Sequence, residues 1–193
     1  MAIDRIGGVL QGTKPPGGTS VRCPTGARAG VGDGGIVKAL AAVCVVRRVE
    51  RQDLMALVAL CGEHALYERA TLGTAADMLD GLAHALFAPS PRLQAWVAEA
   101  DGDLLGYATA TVEFSTWRAR EFLHMDCLFV REGRRGTGIG ASLLATVIAA
   151  ARRSGCAEIQ WQTPDWNTHA ARFYRGVGAI GKPKCRFFLR LEG

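Results

Sequence analysis

Phe122-Leu123-His124-Met125-Asp126-Cys127-Leu128-Phe129-Val130, followed by Arg134-Arg135-Gly136-Thr137-Gly138-Ile139-Gly140 and an alanine- and leucine-rich run to Ser154, is the stretch whose reading decides the fold. Within the run Ile139, Leu143, Leu144, Val147, Ile148 and Ala151 recur at helical spacing, so one face is apolar. A helix with such a face packs against a sheet. The pattern therefore predicts strand, basic glycine loop and helix. The glycines fall where the strand gives way to the helix. Lacking Cβ atoms, they let several backbone N–H groups converge on one concavity. The helix N-terminus adds partial positive charge, and Arg134 and Arg135 add full charges. Such a junction is a receptor for a phosphate or pyrophosphate.

Three phosphate ligands compete for this loop. A P-loop requires Lys-Ser or Lys-Thr directly after its last glycine, whereas Ile139 follows Gly138 here. The looser dinucleotide fingerprint fits as Gly136-x-Gly138-x-x-Ala141. However, Arg131 to Arg135 separate the strand from the first glycine, where that fingerprint needs a tight turn, and no second strand–helix–strand half follows. The third reading rests on a resemblance. Arg135-Gly136-Thr137-Gly138-Ile139-Gly140 resembles the acetyl-CoA loop of the GNAT acyltransferases, Arg/Gln-x-x-Gly-x-Gly/Ala. A second motif follows at the spacing of that superfamily. Ala157 to Gln162 reads as a strand. The segment from Asp165 to Ala179, with Trp166, Asn167, Ala170, Phe173, Tyr174 and Gly178, is similar to the Trp-Asn-x-x-Ala-x-x-Phe-Tyr-x-x-x-Gly-Ala helix of the superfamily. Leu66-Tyr67-Glu68-Arg69, the Trp117 segment and Met125 to Val130 are similar in order and spacing to the spermidine/spermine N-acetyltransferase branch. The likeness runs from about Val43 to Leu191.

Composition sets bounds. The chain has 193 residues, enough for one domain with a real core. No apolar run reaches the ~20 residues of a membrane span, so no membrane partner is expected. Formal net charge is +5. Residues 1–40 hold Arg5, Lys14, Arg22, Arg28 and Lys38 against Asp4 and Asp33, more than half of that excess. Basic residues are not interleaved with aromatics, so no nucleic-acid partner is expected. The six cysteines (Cys23, Cys44, Cys61, Cys127, Cys156 and Cys185) show no C-x-x-C spacing. No metal site is expected from them, and they suit a reducing cytoplasm.

Residues 1–40 are rich in Gly and Pro without apolar period, which predicts a disordered tail ahead of a domain over 41–193. A transit peptide would be amphipathic, and this segment is broken by glycine. In the domain, Val43 to Val49 reads as a strand. A helix opening at Arg51-Gln52-Asp53 runs to about Glu63–Tyr67, with Leu54, Leu57, Val58 and Cys61 apolar. Thr71 or Thr74 caps a second helix, stopped by Pro89-Ser90-Pro91. Gln94 to Glu99 and Leu104 to Phe114 form a hairpin about Asp101-Gly102-Asp103. Cys185 to Leu191 reads as a closing strand. The order predicts a mixed α/β sheet with helices on both faces. The resemblance implies a GNAT-type, mostly antiparallel sheet whose central strands splay to hold an acyl-CoA arm.

The same resemblance assigns chemistry residue by residue. The backbone of Arg135, Gly136, Thr137, Gly138, Ile139, Gly140 and Ala141 takes the pyrophosphate of acetyl-CoA. The segment Leu128-Phe129-Val130 offers its main chain to the pantetheine arm and the thioester. Tyr174, seven residues after Asn167 and four after Ala170, shares their helical face and is the expected acid for the departing thiolate; a tyrosine at the edge of the core is the other reading. Asn167 bonds the arm or caps its helix. Phe173 is expected to turn away from the cleft toward the core. For the base, strand alternation puts His124 and Asp126 on one face and Met125 and Cys127 on the other, unless a bulge intervenes. Asp126 stands where the polyamine branch has Glu. Cys127, between Met125 and Phe129, reads as a buried thiol and not as a nucleophile. Glu63, Tyr67 and Glu68, together with Asp126, suit an ammonium group. Trp117 reads as core.

The function expected is transfer of an acetyl group from acetyl-CoA to a primary amine of a small molecule: a polyamine, diamine, amino acid or aminoglycoside. A peptide-acetylating enzyme and a non-catalytic CoA-binding module are the competing classes. The superfamily's habit implies a homodimer.

Overall fold

In a computed structural model of the chain, residues 21–22, 44–189 and 191 are described. The remainder of the Gly/Pro-rich tail lies outside the described residues. The elements in order are β1 (Val21–Arg22), β2 (Val45–Arg48), a 3-10 turn (Arg51–Asp53), α1 (Leu54–Glu68), α2 (Ala75–Phe87), β3 (Gln94–Ala100), β4 (Asp103–Ser115), β5 (Arg120–Val130), α3 (Ile139–Arg153), β6 (Ile159–Gln160) and α4 (Thr168–Gly176). The six strands form one sheet in chain order. Every pairing is antiparallel except β5 with β6, which is parallel.

Local chemistry sets the boundaries. Asp53 accepts from the Glu50 N–H at 2.7 Å and from two nitrogens of Arg47 at 2.6 and 2.9 Å. The Arg47 guanidinium holds the Asp53 carboxyl below the usual carboxylate range, and Arg47 also reaches Glu99 at 2.7 Å. This knot ties β2 and β3 to the entry of α1. The helix ends at Arg69, which adopts a left-handed conformation with φ 56°. Thr74, one of the two expected caps, accepts from the Asp77 N–H at 3.2 Å and starts α2. Asp101 and Gly102, both at positive φ, turn the β3–β4 hairpin. Gly106 is required for a different reason. A Cβ there would lie 2.5 Å from the Phe129 carbonyl oxygen, so only glycine lets β4 and β5 approach at this register.

The sheet is covered on both faces. α3 packs Ile139, Leu143, Leu144 and Val147 against Val46, Trp96, Ala98, Ala108, Leu123 and Met125. On the other face Leu57 and Leu60 of α1 and Leu86 of α2 meet Val97, Leu104, Tyr107 and Phe129. The expected mixed α/β, mostly antiparallel architecture is thus the observed one.

Three expectations are corrected. The first concerns β5. Thr109 pairs with Cys127 but Ala110 with Met125, so Asp126 is an extra residue in a bulge. Beyond it the alternation is reset: Met125 is buried on the α3 side, while Cys127 packs on the α1 side. The two residues expected on one face therefore lie on opposite faces. Second, residues 181–189 hold no strand, and Phe187, Phe188, Leu189 and Leu191 are 82–90% exposed. The apolar character of Cys185–Leu191 states what it could bury, not which edge it meets, and within the described chain it meets none. Third, Trp117, assigned to the core, is 96% exposed at the tip of the β4–β5 hairpin. An aromatic in a hairpin turn lies beyond the reach of either covering layer.

Candidate active site

β6 pairs with β5 only at Leu123↔Ile159 and His124↔Gln160, and then the two strands part. From the bulge at Asp126 to Val130, the edge of β5 facing away from β4 has no strand partner among the described residues. The chain then enters the glycine loop. Gly136 and Gly138 adopt φ of 76° and 90°, conformations that a Cβ disfavours. The first amide of the loop region to find a partner within the helix is that of Ser142, which donates to Gly138 at 3.0 Å. The amides of Gly136, Thr137, Gly138, Ile139, Gly140 and Ala141 have no partner among the described residues. Gly140 faces Val130 and Phe173, so the mouth of α3 lies directly against the open strand edge and α4. Unpaired amides converging at a helix start suit a diphosphate. The free strand edge suits an amide-bearing arm.

Arg135 does not point into solvent. Its Nε donates to the Val130 carbonyl at 3.0 Å, and its guanidinium lies 4.1 Å from the centre of the Tyr67 ring. It lines a cleft together with Glu63, Leu66, Tyr67, Phe129 and Glu132. Tyr67 in turn reaches α4, its hydroxyl donating to Asn167 Oδ1 at 3.3 Å. Asn167 also accepts the Ala170 N–H at 3.1 Å, so it caps α4. Trp166, which is partly exposed, meets the Tyr67 ring edge-on at 5.7 Å, and Arg69 lies over its face. Helix α1 and the start of α4 thus join at the mouth of the cleft.

Tyr174 packs between Trp161, 5.0 Å away, and Phe173, 5.2 Å away. Phe173 rests against the α3-side core as expected, and Tyr174 packs against the same core beside it. The Tyr174 hydroxyl has no hydrogen-bond partner among the described residues. Burial first, then the Glu68 carboxylate and Cys127, push its pKa up to about 12. Tyr174 is therefore a phenol with its proton in place at neutral pH. Cys127 is pushed up to about 12 chiefly by burial and then by Asp126, so it is a thiol and a poor nucleophile, as the sequence suggests.

The expected acceptor residues separate into two groups. Glu63 lines the cleft but is bound to Arg131 at 2.8–3.1 Å. Tyr67 lines the cleft as well, while Glu68 lies 3.4 Å from His64 Nε2. Asp126 is exposed in the bulge, where the Cys127 thiol donates to it at 3.6 Å. His124 is half-buried at the register where β6 is still attached. Leu128 and Val130 turn their side chains to the α3-side core, and Phe129 is buried under α1. Sequence reading missed His64. Its Nδ1 is 2.9 Å from the Tyr107 hydroxyl, its ring stacks on Phe129 at 4.9 Å, and its Nε2 is 3.4 Å from Glu68. The signal existed, because the apolar stripe of α1 runs through Leu57, Leu60 and Cys61 directly into His64.

Fold and site together define an acyl-transferring enzyme. Residues 57–179 match the acetyltransferase (GNAT) family, and the chain belongs to it. It is 27% identical over 150 residues to a thialysine N-epsilon-acetyltransferase of Bos taurus, covering 72% of this chain and 85% of that one. It is 36% identical over 110 residues to a phosphinothricin N-acetyltransferase of Alcaligenes faecalis, covering 55% and 54%. An aminoglycoside N-acetyltransferase solved in complex with CoA shares the fold at a TM-score of 0.68, with 18% identity over 80% of this chain and 99% of the other.

Proposed function

We propose that the protein moves the acetyl group of acetyl-CoA to the primary amine of a small molecule, an amino acid or diamine with a free terminal ammonium. One observation carries this reading: the amides from Gly136 to Ala141 at the start of α3, unpartnered among the described residues, lie against the open edge of β5, with Gly140 facing Val130 and Phe173. The Glu68 carboxylate, which can attract an ammonium, also raises the pKa of Tyr174, which can supply a proton. The loop from Arg135 to Ala141 holds the diphosphate, and Arg135 leaves the Val130 carbonyl to meet it. Leu128 and Val130 offer their main chain along the arm. Acetyl-CoA supplies an activated acyl group and a thiolate leaving group. As the C–N bond forms and the C–S bond breaks, Tyr174 gives its proton to the departing sulfur and is refilled from solvent. The names of the relatives, which act on thialysine and phosphinothricin, point to the same acceptor class.

An acetyl-CoA consumption assay tests this with thialysine, ornithine, lysine, spermidine, phosphinothricin, an aminoglycoside and peptides with free N-termini. Turnover is expected with one or more of the small amines and none with the peptides. Peptide turnover alone makes it a protein acetyltransferase, and CoA binding without any turnover makes it a regulatory module.

We also place the working form as a homodimer in the cytoplasm. The exposed Phe187, Phe188, Leu189 and Leu191 form an apolar strip of the kind that a second copy covers. Light scattering is expected to give two copies for the full chain and one for a chain ending at Ala179; a monomeric full chain rejects the pairing. Cys61, Cys127, Cys156 and Cys185 are free thiols, in keeping with a reducing compartment. No helix among the described residues is long and apolar enough to cross a membrane.

A further inference from the structure

We infer that His64 and Glu68, one turn apart on α1, take up the proton that the acceptor ammonium must lose, with Glu68 meeting the ammonium and the proton held between its carboxylate and His64 Nε2. The inference rests on the amine-acetylating reading above and names its base. The amine can attack only as a free base, so its N–H bond breaks, the electron pair stays on nitrogen to form the C–N bond, and the proton needs a site. Nε2 and the Glu68 carboxylate, 3.4 Å apart, are two acceptors aimed at one position. A proton placed there turns the ring into an imidazolium balanced by the carboxylate. It leaves through Glu68, whose side chain is about a third exposed while that of His64 is 13% exposed.

The surroundings of the ring suit this task. Tyr107 engages Nδ1 at 2.9 Å and leaves Nε2 for proton exchange. The Tyr107 hydroxyl can accept from Nδ1, which holds the ring's proton on that nitrogen. Phe129, 2% exposed Tyr107 and the body of α1 hold the ring without freedom to swing. The charged groups that bear on it are Glu68 on α1, Asp126 on β5 and Arg135 on the loop. Burial outweighs the two carboxylates and holds the ring below the usual histidine value, so it is uncharged and receptive at neutral pH. The other expected bases are less well set. His124 lies where β6 still pairs with β5, before the edge opens, and Asp126 is exposed and takes the Cys127 thiol. Glu68, 3.4 Å from His64 Nε2, also raises the pKa of Tyr174, so one carboxylate influences both the acid and the proton acceptor.

The test is the pH profile of kcat/KM with thialysine, for the wild type and for His64→Gln, Glu68→Gln, His124→Gln and Asp126→Asn, alongside NMR titration of the His64 ring. The neutral ring is the active form, so wild-type kcat/KM rises with pH through the His64 titration. His64→Gln is expected to lower kcat/KM about 100-fold near neutrality, to lose that limb, and to recover as pH nears the amine's own pKa, with acetyl-CoA affinity unchanged. Glu68→Gln removes a carboxylate that favours the charged ring, so it shifts the ring titration to lower pH. A His64→Gln profile parallel to the wild type overturns the inference, as does loss of the limb in Asp126→Asn or His124→Gln instead. If His64→Gln does not fold, the ring titration decides, and an unmoved titration in Glu68→Gln rejects the pair. Absence of wild-type turnover with thialysine counts against the acceptor class, while the titration still reads the pair.

Discussion

Tyr174→Phe is expected to lower kcat by about 100-fold or more and to leave the acetyl-CoA dissociation constant within about threefold. The change removes one oxygen and keeps the ring. Trp161 and Phe173 hold that ring from two sides, and neither contact involves the hydroxyl. The hydroxyl itself supports nothing in the fold, since no described residue bonds to it. Its pKa, pushed up to about 12, keeps the proton in place at neutral pH, so the hydroxyl stands ready as the C–S bond breaks and charge develops on the sulfur. Steady-state turnover with saturating amine and calorimetric titration with acetyl-CoA separate the two quantities. Unchanged turnover removes Tyr174 as the acid. A parallel loss of affinity makes it a wall of the cleft.

Gly138→Leu is expected to weaken acetyl-CoA binding by about 100-fold or more, about 3 kcal/mol, with α3 still formed. Gly138 is the N-cap of α3 at φ 90°. A leucine there forces either a strained left-handed backbone, costing about 1–2 kcal/mol, or a turn that no longer points its amides into one concavity. The isobutyl group also takes space that a diphosphate needs. The helix survives because its apolar face, with Leu143, Leu144 and Val147, stays on the sheet. Calorimetry with acetyl-CoA and circular dichroism make the pair of measurements. Wild-type affinity in a folded variant would show that the loop is only a helix cap.

Much of the site could be read along the chain. The loop from Arg135 to Gly140, the cap and aromatic pair of Asn167 to Tyr174, the Thr74 cap and the Asp101-Gly102 turn are all short-range devices, whose backbone requirements are written in adjacent residues. The apolar face of α3 is likewise local, because helical period selects it. The errors arose where a neighbour decides. Cys127 changed faces because an unpaired Asp126 shifted the count, and a bulge depends on the register of β4. Trp117 looked like core by composition, but its place at a hairpin tip puts it beyond both layers. Phe187 to Leu189 has the composition of a strand but, among the described residues, pairs with no edge of the sheet.

The sequence by itself determined a mixed sheet, an anion-binding helix mouth and a tyrosine-bearing helix downstream, because each depends on contacts within a few residues. Only the tertiary structure decided that β6 leaves β5 after His124, that Tyr67 meets Asn167 across 100 residues of chain, and that His64 meets Tyr107 and stacks on Phe129. Those meetings are set by how two helices from opposite ends of the domain close on one strand edge, and no local pattern encodes the distance between them.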